Sequence, residues 1–313
     1  MSGFLADFPQ GITCIDTGYL RPGFAASYLL VEAGEAVFID TGPSHAVPLL
    51  LTALARKGLA PEAVRAVIVT HVHLDHAGGA GALLHHLPNA RLLVHPRGLS
   101  HLLDPTRLQA GAEAVYGVAR FQEILGGIHP ADPERTQATA DQESFSWQGR
   151  CLTILHTPGH ALHHQCIWDG ASGGLFSGDA FGIAYPVFDR GAERLLFPAT
   201  TPVQFDPEAS HRTLDRLAAL APSGIFLTHF GRIPFETRWT GQLHTLLDQW
   251  VDLAHRHRGE TDPAGLTEAL QHSLWAQSVR KSLTVTEAVG REWLDMDCAL
   301  NAQGLRAWLR RRS

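Results

Sequence analysis

Residues 64–79 read Val64-Arg-Ala-Val-Ile-Val-Thr-His71-Val-His73-Leu-Asp75-His76-Ala-Gly-Gly79. It carries a short β-branched apolar run, Val67 to Thr70, the composition of a buried strand. It then delivers His71, His73, Asp75 and His76 within six residues. Side chains alternate in an extended segment, so His71, His73 and Asp75 are expected on one face. His76 breaks that alternation, so the chain must turn there. Glycines follow, and 79–87 reads as a helix. A lone histidine in a loop is usually structural or solvated. Three imidazoles and a carboxylate emptied into one turn are what borderline divalent metals such as zinc bind.

Working outward, 12–16, 27–31 and 36–39 read as strands, with Gly34-Glu35 as a hairpin turn. Asp40 closes the third of these, followed by Thr-Gly-Pro, and an Asx turn is one reading of it. A helix over 45–58 leads by way of Pro61 into the quoted strand. Arg91–Val94 forms the next strand, and His95 after it is taken as structural. Residues 97–142 are less regular. They hold a candidate helix from Leu108 to Leu125, which either packs on the sheet or covers a site with Tyr116, Arg120 and Phe121. Strands are expected at 145–147, 151–155 and 165–168. The second runs into Thr157-Pro-Gly-His160, whose Pro-Gly pair fixes a sharp turn, with His163 and His164 close behind. A strand at 174–177 runs into Gly178-Asp179. The loop 181–204 carries Phe181, Tyr185, Phe188, Arg190, Phe197 and three prolines, and reads as the wall of a pocket. Asp206 is an N-cap candidate and Pro207 a first-turn proline for a helix to Leu220. Gly224–Thr228 is a strand ending at His229. From 236 onward the spacing is helical, over 239–257, 263–279, 286–293 and 300–310. Arg306, Arg310, Arg311 and Arg312 read by default as a solvated tail, with a dimer or anion contact as alternatives.

Bulk properties narrow the classes. The 313 residues suffice for one large or two smaller domains. A net charge of −6 argues against a protein that wraps duplex nucleic acid. Cys14, Cys151, Cys166 and Cys298 are scattered with no C-x-x-C pair, which points to reduced thiols in the cytosol. Residues 1–10 lack the basic and apolar regions of a secretory signal, and no apolar run approaches a membrane span. Nineteen histidines are the unusual feature.

His71-Val-His73-Leu-Asp75-His76 resembles the HxHxDH signature of the metallo-β-lactamase fold superfamily. Later pieces recur in the expected order: His160 after a strand, Gly178-Asp179 after the next, and His229 after the last. The resemblance covers roughly residues 10–235. It implies an α/β fold, a metallo-β-lactamase-type αββα sandwich as a catalytic domain over 1–235, with an α-helical extension over 236–313. It also implies roles. His71, His73 and His160 would hold one metal, and Asp75, His76 and His229 a second. Asp179 would bridge them, and Asp40 would support the ligands from behind. Two divalent ions are expected, zinc first, with iron or manganese as alternatives.

Within the superfamily, the broad-spectrum lactamases carry Cys where Asp179 stands. The flavin-partnered di-iron oxygen reductases usually carry Glu in place of His73. The full ligand set instead looks like glyoxalase II-type hydrolases, lactonases and RNA-processing nucleases. No glutathione-binding cluster is matched, and no RNA-processing arm is recognisable. The expectation is a cytosolic dinuclear hydrolase, with Asp75 and Asp179 at the chemistry. A metal-bound hydroxide attacks a small-molecule thioester, lactone or other activated carbonyl. Tyr116, Phe181, Tyr185, Phe197 and His163 are the candidate substrate contacts. Alternatives are phosphodiester hydrolysis, an iron-dependent persulfide dioxygenase, and a non-catalytic scaffold. No membrane or nucleic-acid partner is expected, and a homodimer is left open.

Overall fold

The computed structural model describes residues 5–201, 203–281, 283 and 285–312. Residues 1–4 of the N-terminal reading and Pro202 of the aromatic loop lie outside the described residues. The chain groups into two compact units. The first comprises Met1–His156, His163–Gly178 and Ser223–Ile233; the second comprises Thr157–Leu162, Asp179–Pro222 and Pro234–Ser313.

The first unit holds two sheets. In chain order its elements begin with β1 (Leu5–Phe8), β2 (Ile12–Asp16), β3 (Ala26–Glu32), β4 (Glu35–Ile39), α1 (Val47–Arg56) and β5 (Val64–Ile68). Next come α2 (Leu74–Ala77), α3 (Ala80–His86), β6 (Arg91–Val94), α4 (Leu99–Leu103), α5 (Thr106–Tyr116), α6 (Val118–Leu125) and β7 (Thr136–Ala138). Then come β8 (Ser144–Trp147), β9 (Arg150–His156), β10 (Gln165–Asp169) and β11 (Gly174–Gly178). The first sheet runs β1-β2-β3-β4-β5-β6-β7, antiparallel to β4 and parallel from there on. Its central strands are buried on both faces, which is why residues 66–69, from β5 onward, read as a continuous apolar run. Val67 and Val69 pack on one side with Leu50 and Leu54 of α1 and Leu83 and Leu84 of α3. Ala66 and Ile68 pack on the other with Ile154, Ile167 and Phe176 of the second sheet. That inter-sheet layer is the core that sets the two sheets face to face.

The second unit carries α7 (Pro207–Ala218), and between it and α8 (Thr237–Arg256) the chain adds β12 (Gly224–Leu227) and β13 (Gly231–Pro234) to the sheet of the first unit. That second sheet runs β13-β12-β11-β10-β9-β8. The second unit ends with α9 (Ala264–Arg280) and α10 (Glu287–Arg311). The helical segment 236–313 therefore groups with 157–162 and 179–222 in one unit. Asp206 caps α7 as its position suggested, accepting from Ala209 N at 2.8 Å.

Several sequence expectations need correction. The single helix over 108–125 is two, because Gly117 takes φ +78°, which ends α5 before α6 restarts. The two pieces expected at 286–293 and 300–310 are one helix of 25 residues. Gly304 inside it does not interrupt it; a Cβ there would lie 1.7 Å from Thr200 O, so its glycine permits close approach. Strands β1, β7 and β13 went unread because they are three- or four-residue edge strands without a β-branched run. In the arginine tail Arg310, Arg311 and Arg312 are exposed, as a solvated tail would be, while Arg306 donates to Glu260 O and Thr261 O, and Arg311 to Phe205 O. Among the described residues no helix is long and apolar enough to cross a membrane.

Candidate metal centre

The extended run from β5 ends at His73, whose ψ of 148° is still that of a strand. Asp75 already belongs to the helical turn α2 and is not the third member of a strand face. The reason is local: the chain must bend to bring Ala77 and Ala80 into the core beside α1 and α3. The bend gathers the donors more tightly than an extended segment would.

In the first unit, Asp75, His76 and His229 each offer a ligand atom, and these atoms lie within 4.8 Å of one another. Asp75 Oδ2 is 3.2 Å from His229 Nε2 and 3.8 Å from His76 Nε2. The far nitrogen of each ring is held from behind. His76 Nδ1 lies 3.1 Å from Asp40 Oδ2, and His229 Nδ1 lies 2.8 Å from the carbonyl of Phe24. These contacts fix tautomer and ring orientation, the arrangement that makes imidazole a directed metal ligand. His71 and His73 stand alongside, with His71 Nε2 2.9 Å from His73 Nδ1 and the His71 ring centroid 4.0 Å from that of His76. Burial pushes the Asp75 carboxyl up, but His76, His229 and His73 outweigh it and hold it far below the usual carboxylate range. A partly buried carboxylate kept ionised among imidazoles is a donor set that fits a borderline divalent cation.

Asp40 is the hub behind these ligands. Its φ of +56° lies in the left-handed region that Asp tolerates better than most residues. Oδ1 accepts from Thr70 N at 2.7 Å, and Oδ2 accepts from Thr228 Oγ1 at 2.9 Å as well as meeting His76. One buried carboxylate thereby ties together the ends of β4, β5 and β12. Thr70 and Thr228 went unnoticed in the sequence. The signal was there, since each is a Thr directly preceding a candidate ligand His.

His163 lies 5.5 Å, ring to ring, from His73 and edge-on to it, and Val72 N approaches its Nδ1 at 3.5 Å. His164 is fully buried and stacks on His71 at 4.9 Å. Tyr116 sits half-buried at the end of α5.

In the second unit, His160 Nε2 lies 3.5 Å from Asp179 Oδ2, and His160 Nδ1 is 3.0 Å from the carbonyl of Ala199. The Pro158-Gly159 turn that aims His160 is pinned to α7. Thr213 Oγ1 donates to Pro158 O at 2.6 Å, and Asp206 N donates to Gly159 O at 2.7 Å. His160 and Asp179 line a cleft with Ala180, Gly182, Ser210 and Leu243. Phe181, Tyr185 and Phe197 are fully buried within this unit. The Tyr185 hydroxyl donates to Asp297 Oδ2 at 2.9 Å, and Ile183 pairs with Phe197 along the backbone. Their neighbours, rather than their own rings, reach the cleft.

A family profile for the metallo-β-lactamase superfamily matches residues 20–229. The chain belongs to the metallo-β-lactamase superfamily. It is 29% identical over 201 residues to a hydroxyacylglutathione hydrolase of Aeromonas hydrophila, covering 64% of this chain and 59% of that protein. The chain thus spans about three-fifths of the length of that relative. It is 25% identical over 229 residues to a metallo-β-lactamase fold-containing protein of Sulfurisphaera tokodaii, covering 72% of this chain and 80% of that protein. Among solved structures, an archaeal superfamily protein from Sulfolobus tokodaii superposes with a TM-score of 0.67 at 22% identity, over 95% of this chain and 98% of the other. A family member from Thermus thermophilus gives 0.65 at 21%, over 99% and 93%. The expected class, an α/β sandwich of the metallo-β-lactamase type with a C-terminal helical region, holds.

Proposed function

We propose that this superfamily member is a metal-dependent hydrolase with a dinuclear centre. His71, His73 and His160 hold one ion, Asp75, His76 and His229 hold the other, and Asp179 bridges. The observation that carries the reading is the cluster of Asp75, His76 and His229 within 4.8 Å, with Asp40 and the Phe24 carbonyl gripping the rings from behind. Imidazole and carboxylate suit zinc, with iron or manganese next. When bound, such ions polarise a carbonyl oxygen and lower the pKa of water from 15.7 to about 7.

The chain's own groups divide the remaining work. Asp75 and Asp179 keep carboxylates at the centre that accept hydrogen bonds and orient what binds there. Asp40 sets the His76 tautomer. Residues 1–235 form the catalytic domain, and the helical extension 236–313 lends Leu243 and Leu247 to the cleft that holds His160 and Asp179. His163 and Tyr116 are the assigned substrate contacts, while Phe181, Tyr185 and Phe197 hold the shape of the loop behind the cleft. The substrate is a small activated carbonyl compound, a thioester before a lactone, a preference supported by likeness to hydroxyacylglutathione hydrolases.

The substitution Asp179→Ala tests this directly. It should retain the fold by circular dichroism, bind less metal, and lose at least about 100-fold in kcat on a thioester or lactone, a loss in the range of removing a major electrostatic contributor. Unchanged turnover would remove Asp179, and with it the bridged centre, from the reaction.

A further inference from the structure

Helices α7 and α8 carry another cluster of imidazoles and carboxylates, apart from the candidate centre and wholly within the second unit. His211 and Asp215 lie one turn apart on α7, and His244 and Asp248 one turn apart on α8. They pair crosswise: His211 Nε2 is 3.1 Å from Asp248 Oδ1, and His244 Nε2 is 3.0 Å from Asp215 Oδ1. The two Nδ1 atoms face each other at 2.5 Å. The ring planes are within 3° of parallel and their centroids 4.9 Å apart. With the nitrogens so close, the rings meet edge to edge, and the Nδ1 lone pairs point along the line between them. Two N–H groups would clash there and two bare lone pairs would repel, so one proton sits between the nitrogens. Each Nε2 donates outward to a carboxylate. A carboxylate on one nitrogen, orienting the ring and raising the basicity of the other, is how metal-binding histidines are built.

The geometry points to a divalent transition-metal site between α7 and α8, with His211 Nδ1 and His244 Nδ1 as ligands and Asp215 and Asp248 as the carboxylates that orient them. Zinc–nitrogen bonds of about 2.0–2.1 Å at a tetrahedral angle need the nitrogens roughly 3.3 Å apart. They must therefore part by less than 1 Å, from 2.5 Å, and each ring must tilt by roughly 35° so that its lone pair meets the ion off the line between them. Side chains 28% and 26% exposed have room to rotate that far. The ion replaces the shared proton, which leaves to water, and water completes the coordination. Two protein nitrogens hold an ion less tightly than the larger donor set of the candidate centre, so this site fills reversibly. The same helices present Ser210, Thr213, Leu214, Leu243 and Leu247 to the cleft lined by His160 and Asp179. An ion here staples two walls of that cleft.

The test is calorimetric titration of the full chain with Zn²⁺ and Ni²⁺, after its tight metal has been filled and excess removed by gel filtration. Wild-type protein should take up one further equivalent and show a thermal midpoint that rises with added Ni²⁺. The double variant His211→Asn/His244→Asn should lose both responses while keeping its tight metal. The double variant Asp215→Asn/Asp248→Asn keeps both ligands and should bind the further ion about 10–100-fold more weakly. No further equivalent in wild type, or the same equivalent in the His211/His244 variant, overturns the site. Because uptake is read without substrate, a failed hydrolase assay leaves this result standing, and the reverse holds too.

Discussion

At the scale of single residues, Asp40 is the group whose removal should be felt furthest. Its carboxylate holds Thr70, Thr228 and His76 at once, and it is 1% exposed. Asp40→Ala should weaken metal binding about 10–100-fold, because His76 loses the partner that fixes its tautomer. It should also destabilise the fold by about 1–3 kcal/mol through the buried donors left behind. Competition with a chelator and urea unfolding would measure the two effects separately. Metal affinity equal to wild type would show that the hub is structural only. His95 makes a different prediction. Burial first, then His156 and Arg97, lower its pKa from 6.5 to about 4. The unfolded chain therefore binds this proton more readily than the fold does. The stability it contributes is complete above pH 6.5 and falls as the pH drops toward 4. The full effect is roughly 3 kcal/mol. Across that window His95→Gln should show a shallower loss of stability than wild type in denaturant titrations, and parallel curves would rule the residue out.

At the scale of elements, what was legible in the sequence follows what the chain buries. The apolar run of β5 announced a central strand because both of its faces lie in core. The ligand histidines were legible because their residue types are costly at strand ends without a partner. The break at Gly117 and the continuity of α10 were not, since a glycine in sequence does not reveal whether it turns the chain or lets backbone approach. Phe181, Tyr185 and Phe197 show the same limit, because an aromatic loop reads alike whether its rings face a pocket or a core. The carbonyls of Phe24 and Ala199 support the ligands through backbone groups, to which residue chemistry alone gives no address, whereas Thr70 and Thr228 each stand directly before a ligand His. Gly81 in α3 turns this lesson into a test. Alanine is favoured over glycine in a helix by about 1 kcal/mol, yet a Cβ here would lie 2.1 Å from His129 O. Gly81→Ala should therefore lower stability by about 1–3 kcal/mol, the usual cost of overpacking. A variant more stable than wild type in urea would show that the segment at 129–130 yields without cost.

At the scale of the whole molecule, the chain supplies seven candidate ligands from separate segments. Five lie in the unit built from the two sheets, while His160 and Asp179 lie in the unit that carries α7 to α10. Under the proposed function all seven hold metal, so chelation should lower the thermal midpoint of the full chain, and zinc should restore it. The most direct measurement is elemental analysis of protein purified without added metal, run beside thioester and lactone hydrolysis on the same sample. The expected result is about two divalent ions per chain together with hydrolysis. One iron per chain, no hydrolysis, and oxygen uptake with a persulfide would contradict it.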